Sequence, residues 1–242
     1  MTGAPARTTL SRAVGRDLPE GVAKQHAVEA MFDRIAPRYD RLNRVISLGQ
    51  DRRWRRRAMA ALHLAPAATV LDVACGTGDL CDVLTAAGYR AIGVDFSAGM
   101  LAAAHTDAPL VRADALTLPV PDATVDGVVS GFALRNLVDL EQFLRECARV
   151  LRPGGRMTAL ETAEPASSLL RAGHRVWFRR IVPFVGGRLS NDADAYRYLP
   201  RSSAYLPPTS ELLRLVDAAG FTELERRTFM AGAVQLISGT RR

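Results

Sequence analysis

The sequence predicts an α/β protein with a seven-stranded, mostly parallel sheet closed by a terminal antiparallel hairpin. Three observations carry this. Over residues 69–161, apolar β-branched runs alternate with helical patterns, the signature of a parallel sheet covered by helices. The first run, Val70-Leu71-Asp72-Val73-Ala74, empties into Cys75-Gly76-Thr77-Gly78-Asp79, and a helical pattern (Leu80, Val83, Leu84) follows at once. Strand, glycine turn and helix open a nucleotide-binding βαβ unit. Finally, the runs at 221–228 and 233–238 are close enough in sequence to pair antiparallel.

The elements follow in order. Residues 1–20 are polar, lack an apolar signal region, and are expected to be a mobile tail preceding a single domain over 21–242. Residues 24–36 set Val28, Met31, Phe32 and Ile35 on one helical face, and Pro37 is expected to end that helix. The stretch up to residue 66, with the helix of Trp54, is too short for a domain, so 21–66 is expected to cap the ligand cleft. Strand one spans 69–74, and its helix runs to about residue 87, where Gly88 stops it. Strand two spans 90–95. Ser97 is set to cap a helix over 98–105. Strand three is 110–112, and strand four, 125–131, is entered through Pro121-Asp122. Asp139 caps a helix over 140–150, and Pro153-Gly154-Gly155 turns into strand five, 156–161. Over 165–206 the alternation stops. A helical insertion with Trp177, Phe178, Phe184, Tyr196, Tyr198 and Tyr205 is expected there, then a helix over 210–219 stopped by Gly220.

Composition narrows the function. The chain has 242 residues, 48% of them hydrophobic, ample for one core, yet no run approaches the ~20 apolar residues of a membrane span. Cys75, Cys81 and Cys147 form no C-x-x-C pair, which suits a reducing cytoplasm. Net charge is +7, Lys24 is the only lysine, and the densest basic cluster is Arg52, Arg53, Arg55, Arg56 and Arg57. At helical spacing that cluster is either a solvated face or a contact for an anionic membrane at the inner leaflet. No nucleic-acid module accompanies it, so nucleic acid is not expected as a partner. His26, His63, His105 and His174 lack the spaced partners that a metal or a nucleophilic triad needs. Nothing in the sequence indicates an oligomeric state.

The ligand is read from the glycine turn. A dinucleotide fingerprint needs a third glycine where this chain has Cys81. Asp72 would repel a pyrophosphate but suits a ligand bearing an amino group. Asp95, ending strand two, is placed to accept from ribose hydroxyls. This order resembles the class I S-adenosylmethionine methyltransferases; the alternative is an ordinary βα turn with capping acids. On the methyltransferase reading, Asp72, Gly76, Thr77 and Gly78 hold the amino-acid end of the cofactor. Phe96 or Met100 packs on the adenine. Asp114 accepts from its amino group, beside the Ala115 N–H.

Further motifs carry a narrower likeness. Tyr39-Asp40-Arg41-Leu42-Asn43, Ser47 and Trp54, then Phe132-Ala133-Leu134-Arg135-Asn136, then Arg149 to Gly155 with Glu161, and Tyr196-Arg197-Tyr198-Leu199 resemble the menaquinone/ubiquinone-biosynthesis C-methyltransferases over residues 29–239. The stretch Ser47 to Trp54 is most similar to the actinobacterial menaquinone branch. The resemblance implies methylation of a prenylated quinol, foremost demethylmenaquinol, with S-adenosylhomocysteine as product and no metal. It implies cofactor contacts at Thr77, Asp95, Asp114, Ala115 and Ser130. Tyr39 and Asp40 would form a lid over the cofactor. Arg135 and Asn136 would sit at the acceptor, with Arg135 acting through water, Asp40 and Tyr196 as candidates for the base. The alternative for Arg135 is a surface ion pair. Three positions depart from the family pattern: Asp51, where many relatives carry His; Ala133, where Gly is usual; and Thr162-Ala163 in place of Phe-Ser. They leave a phenol-like natural-product ring as the alternative acceptor. A non-catalytic S-adenosylmethionine-fold binding protein and a nicotinamide-dependent reductase are disfavoured by the cofactor series and by the missing glycine.

Overall fold

The computed structural model describes residues 20–165, 167–176 and 202–242. Residues 1–19 of the expected tail, and Trp177, Phe178, Phe184, Tyr196 and Tyr198 of the expected insertion, lie outside the described residues. Seven strands form one sheet: β1 (Thr69–Val73), β2 (Arg90–Asp95), β3 (Leu110–Arg112), β4 (Val125–Gly131), β5 (Leu151–Thr162), β6 (Phe221–Phe229) and β7 (Val234–Arg241), in the order β3-β2-β1-β4-β5-β7-β6. β7 alone runs antiparallel. It slots between β5 and β6, and the hairpin thereby returns β6 to the common direction. Strand order reverses between β1 and β4, and their carboxyl ends open the crevice where such sheets take ligands.

Strand residues alternate between two helical layers, as the period of two requires. Leu71 and Val73 of β1 pack with Phe143, Leu144 and Cys147 of α6 (Leu140–Val150) and with Leu212 and Val216 of α7 (Thr209–Ala218). Val70 packs on the other face with Leu80, Cys81 and Leu84 of α4 (Asp79–Ala86). Asp72 shares that second face, and this directs its carboxyl at α4. The caps are as the residue types require: Ser97 Oγ accepts from Met100 N at 3.0 Å ahead of α5 (Ala98–Ala102), and Asp139 accepts from Gln142 N at 2.8 Å ahead of α6.

The helix expected over 98–105 ends at Ala102, and two further boundaries differ from expectation for a local reason. Pro37 does not end the N-terminal helix α1 (Gly21–Ile35) in a loop. It sits early in a 3-10 turn, Ala36–Arg38, where its missing N–H costs nothing, and the chain continues into α2 (Tyr39–Ile46). Pro153-Gly154-Gly155 does not precede strand five but bulges within it. The β4–β5 ladder skips from Val125–Leu151 to Gly127–Arg156, and Gly154 takes φ +77°.

The cap is fastened by polar side chains. α1 presents Gln25, Glu29 and Asp33 at four-residue spacing, one stripe of a helix. Gln25 donates to Asp114 at 3.0 Å, Glu29 pairs with Arg112 at 3.1 Å, and Asp33 accepts from Ser97 Oγ and Gly99 N. Lys24, 4% exposed, donates to Leu137 O at 2.6 Å with its ammonium 3.7 Å above the Tyr205 ring. Burial lowers its pKa to about 8. On α3 (Asp51–Ala60) the arginine cluster divides. Arg52, Arg53, Arg56 and Arg57 are exposed, but Arg55 is buried between Asp51 at 2.8 Å and Asp79 at 3.1 Å, so it belongs to no surface.

The glycine turn sets a stability test. Gly78 has φ +93°, and a Cβ there would lie 2.8 Å from Thr106 Cβ; Gly88 has φ +86° with nothing within 4 Å. Gly88→Ala should therefore cost only the left-handed strain, about 1–2 kcal/mol, and Gly78→Ala at least about 1 kcal/mol more, as overpacking does. Urea denaturation of both variants measures the difference, and equal midpoints would refute the clash.

Candidate active site

Two clefts meet at the carboxyl end of the sheet. The first, about 850 Å³, is bounded by Gly76 of the glycine turn, by Asp95, Phe96 and Met100 after β2, by Asp114 and Ala115 after β3, by Asn136 after β4, and by Tyr39 of the cap. The second, about 1570 Å³, is mainly apolar: Ile35, Leu42, Ile46, Trp54, Pro165 and Val234 contribute, and its polar groups include Asn43, Ser47, Asp51, Arg55, Arg135 and Thr162. Phe32, Tyr39 and Phe132 line both. Phe132 stands at φ +61°, rare for an aromatic residue, and its ring tilts on Trp54 at 6.1 Å.

The turn is held open for a ligand. Asp95 is tied to the backbone by accepting from Gly76 N at 2.7 Å and Ser97 N at 2.8 Å. Each carboxylate oxygen keeps a second lone pair, which can take a diol hydroxyl. Desolvation raises the Asp95 pKa. Asp114 Oδ1 accepts from Leu116 N at 2.9 Å, while Gln25 occupies Oδ2. Of the residues expected around the cofactor, Asp72, Thr77, Gly78 and Ser130 are not part of the cleft wall. Asp72 is 1% exposed. Its Oδ2 takes the Cys81 thiol at 3.5 Å, while Oδ1 and the Ser130 hydroxyl are buried without a hydrogen-bond partner. Burial lifts the Asp72 pKa to about 7. An orphaned carboxylate oxygen beneath a glycine turn fits the ammonium of an amino-acid ligand, and the donor set as a whole fits S-adenosylmethionine. Among the described residues, no group of three or more His, Cys, Asp or Glu side chains is arranged to hold a metal.

Several residues stand elsewhere than expected. Asp40 is absent from the walls of both clefts. Its carboxylate accepts from Thr77 Oγ1 at 2.5 Å and lies 3.5 Å from His105, so it braces the glycine turn. His105 is ringed by Asp40, Asp79 and Asp82 within 3.6 Å. Asn136 lines the first cleft and its neighbour Arg135 the second. Arg135 is no surface residue. It is 7% exposed and paired with Glu161, which is fully buried; Glu161 also accepts from Arg135 N and Thr162 N, and Arg135 Nε has no partner. Tyr196 lies outside the described residues. Sequence reasoning missed Gln25, Arg55 and the Arg135–Glu161 pairing. The four-residue polar stripe of α1 was the available signal for the first.

Comparison with known proteins shows the family and the fold. The sequence model described as the ubiE/COQ5 methyltransferase family matches residues 20–241. The demethylmenaquinone methyltransferase of Mycolicibacterium vanbaalenii is 42% identical over 217 residues, covering 89% of this chain and 95% of that protein. That of Thermus thermophilus is 44% identical, covering 85% and 98%. Among solved structures, a possible histamine N-methyltransferase from Thermotoga maritima superposes with a TM-score of 0.63 at 20% identity, covering 89% of this chain and all of that one; it shares the fold.

The Asp72 pKa supplies a test. The neutral carboxyl persists up to about pH 7, and an ammonium ligand favours the ionised form. Binding of S-adenosylhomocysteine below pH 7 should therefore release a proton, and its affinity should rise as pH approaches 7 and then level off. Calorimetry in buffers of different protonation enthalpy reads the proton, and Asp72→Asn should flatten the profile. A pH-independent affinity in the wild type would remove Asp72 from the cofactor set.

Proposed function

Since the chain belongs to the ubiE/COQ5 methyltransferase family, we propose that it methylates a ring carbon of a prenylated quinol, demethylmenaquinol, yielding menaquinol and S-adenosylhomocysteine. S-adenosylmethionine supplies the methyl group on a sulfonium that needs no further activation. The observation that carries the acceptor reading is the wide apolar cleft joined to the cofactor cleft at Phe32, Tyr39 and Phe132. A flat ring held there would have its carbon next to the methyl, with room beyond for an isoprenoid tail. The relatives named demethylmenaquinone methyltransferase support the same choice.

The chain's task is then alignment and charge control. Tyr39 and Phe132 would hold the ring plane at the junction. Ring attack draws electrons from a phenolic oxygen and makes it acidic. Arg135, which lines the acceptor cleft, would stabilise that oxygen, and Glu161 would hold the guanidinium in position. Asp95 and Asp114 would bind ribose and adenine, and Asp72 the ammonium.

A bilayer source for the acceptor is the finer part of the proposal: a peripheral protein at the cytoplasmic face. Among the described residues no helix is long and apolar enough to cross a membrane. What supports contact is the mouth of the acceptor cleft. Leu48, Leu169, Leu170 and Met230 line it and are 60%, 81%, 46% and 42% exposed. Leu48 and Met230 do so at φ +53° and +48°. Strained backbone presenting apolar side chains to water is doubly unfavourable in solution and suits an interface. The exposed arginines of α3 supply attraction to anionic headgroups. The described cysteines are free and buried, in keeping with a reducing compartment.

Two measurements test these roles. Arg135→Lys cannot serve both Glu161 and the acceptor, since a point charge replaces a planar fork. It should lower the single-turnover rate of methyl transfer to demethylmenaquinol by about 10²–10³ at saturating S-adenosylmethionine, with cofactor affinity nearly unchanged. A wild-type rate would return Arg135 to a structural ion pair. In vesicle flotation, binding to anionic vesicles should fall with rising salt, and should fall further for the Arg53→Glu/Arg56→Glu double variant. Equal recovery of the variant, or no binding at low salt, would reduce the arginines to a solvated face.

A further inference from the structure

We propose that Asp51 is the general base of the methyl transfer, hydrogen-bonded to the acceptor's ring hydroxyl. This rests on the quinol reading above and assigns the base which that reading leaves open. Among the described residues lining the acceptor cleft, Asp51 is the one carboxylate, and no histidine, glutamate or cysteine accompanies it. The other ionisable side chains there are Arg55 and Arg135, which have no lone pair to accept a proton, and Tyr39, whose hydroxyl burial holds in its neutral form.

Asp51 is built for the role. It opens α3 as its first residue and is 4% exposed. Oδ1 accepts from Ser47 Oγ at 3.0 Å and Oδ2 from Arg55 at 2.8 Å. Both contacts fix the carboxylate's orientation, and each oxygen retains a lone pair. Arg55 is shared with Asp79, so its charge is divided between two carboxylates and does not wholly neutralise either. Asp79 is the first residue of α4, directly after the glycine turn. One guanidinium therefore ties the base to the cofactor turn.

The step balances. The ring carbon beside the hydroxyl forms a bond to the methyl carbon as the C–S bond breaks, and its electron pair stays on sulfur. The hydroxyl oxygen becomes a carbonyl and its proton passes to Asp51. The tetrahedral ring carbon then gives its hydrogen to water as a proton, the ring regains aromaticity, and Asp51 returns its proton to the oxygen. The base is thus restored each turnover, and Arg135 covers charge on the acceptor while the proton is away.

The experiment compares wild type, Asp51→Asn and Asp51→His in single-turnover transfer to demethylmenaquinol across pH, with S-adenosylhomocysteine affinity measured by calorimetry for each. The groups facing Asp51 are Ser47 of the α2–α3 turn, Arg55 of its own helix and, through Arg55, Asp79 of α4, and none is altered. Asp51→Asn should lower the rate by about 10²–10⁴ with cofactor affinity within twofold. Asp51→His should recover much of the rate, with the acid limb of its pH profile moved up toward about 6.5, the imidazole range. Three results would overturn the assignment alone: a wild-type rate in Asp51→Asn, an unmoved acid limb in Asp51→His, or loss of cofactor affinity in both variants, which would make Asp51 a structural partner of Arg55. No transfer by the wild type would overturn the quinol reading and take this assignment with it.

Discussion

A single buried guanidinium determines how the two halves of the site sit against each other. Arg55 leaves the basic surface of α3 and closes an ion-paired bridge from Asp51, on the apolar cleft, to Asp79, on the helix that follows the glycine turn. Buried charge is tolerated only when every partner is in register. The bridge therefore locks the cap to the sheet in one arrangement, and Trp54, one residue earlier on α3, is carried into its place against Phe132. The cleft that spans cap and sheet exists in this shape because the ionic contacts on either side of Arg55 admit no slippage.

A second buried pair does the same work from the sheet. Glu161 near the end of β5 holds Arg135 beyond β4, and the backbone N–H of Arg135 also reaches Glu161. Chemistry at the acceptor oxygen would thus be served by a group fixed in both backbone and side chain. Preorganisation of this kind is where an enzyme gains most over water. The cofactor side is looser in composition and tighter in backbone. Asp95 and Asp114 accept from main-chain N–H groups at Gly76, Ser97 and Leu116, so these carboxylates are fixed by loop geometry.

The parts of this arrangement that were legible in the sequence share one property: their signal is local. The five parallel strands, Asp139 and Ser97 as caps, Gly88 and Gly220 as stops, and the run from Asp72 to Gly78 are each dictated by residues within one turn or strand. What was hidden is relational. Nothing about Arg55 distinguishes it from Arg53 or Arg56 until Asp79 arrives from the next element. Asp40 reads as a lid residue and a base candidate, and nothing local reveals Thr77 as its partner; Arg135 reads as an acceptor residue, and nothing local reveals Glu161. The insertion of β7 between β5 and β6 depends on ladder choice between distant segments, which periodicity does not encode. Pro153-Gly154-Gly155 reads as a turn, but the bulge it makes is not legible there, because a bulge is defined only by the partner strand.

Lys24 brings an outcome for handling the molecule. All other basic side chains except the histidines are arginines, so the chain has one side-chain amine, and it is sealed between Leu137 and the Tyr205 ring. Reaction of Lys24 with an amine-directed reagent then reports that α1 has lifted from the cofactor cleft, a readout of cap opening that needs no engineered label.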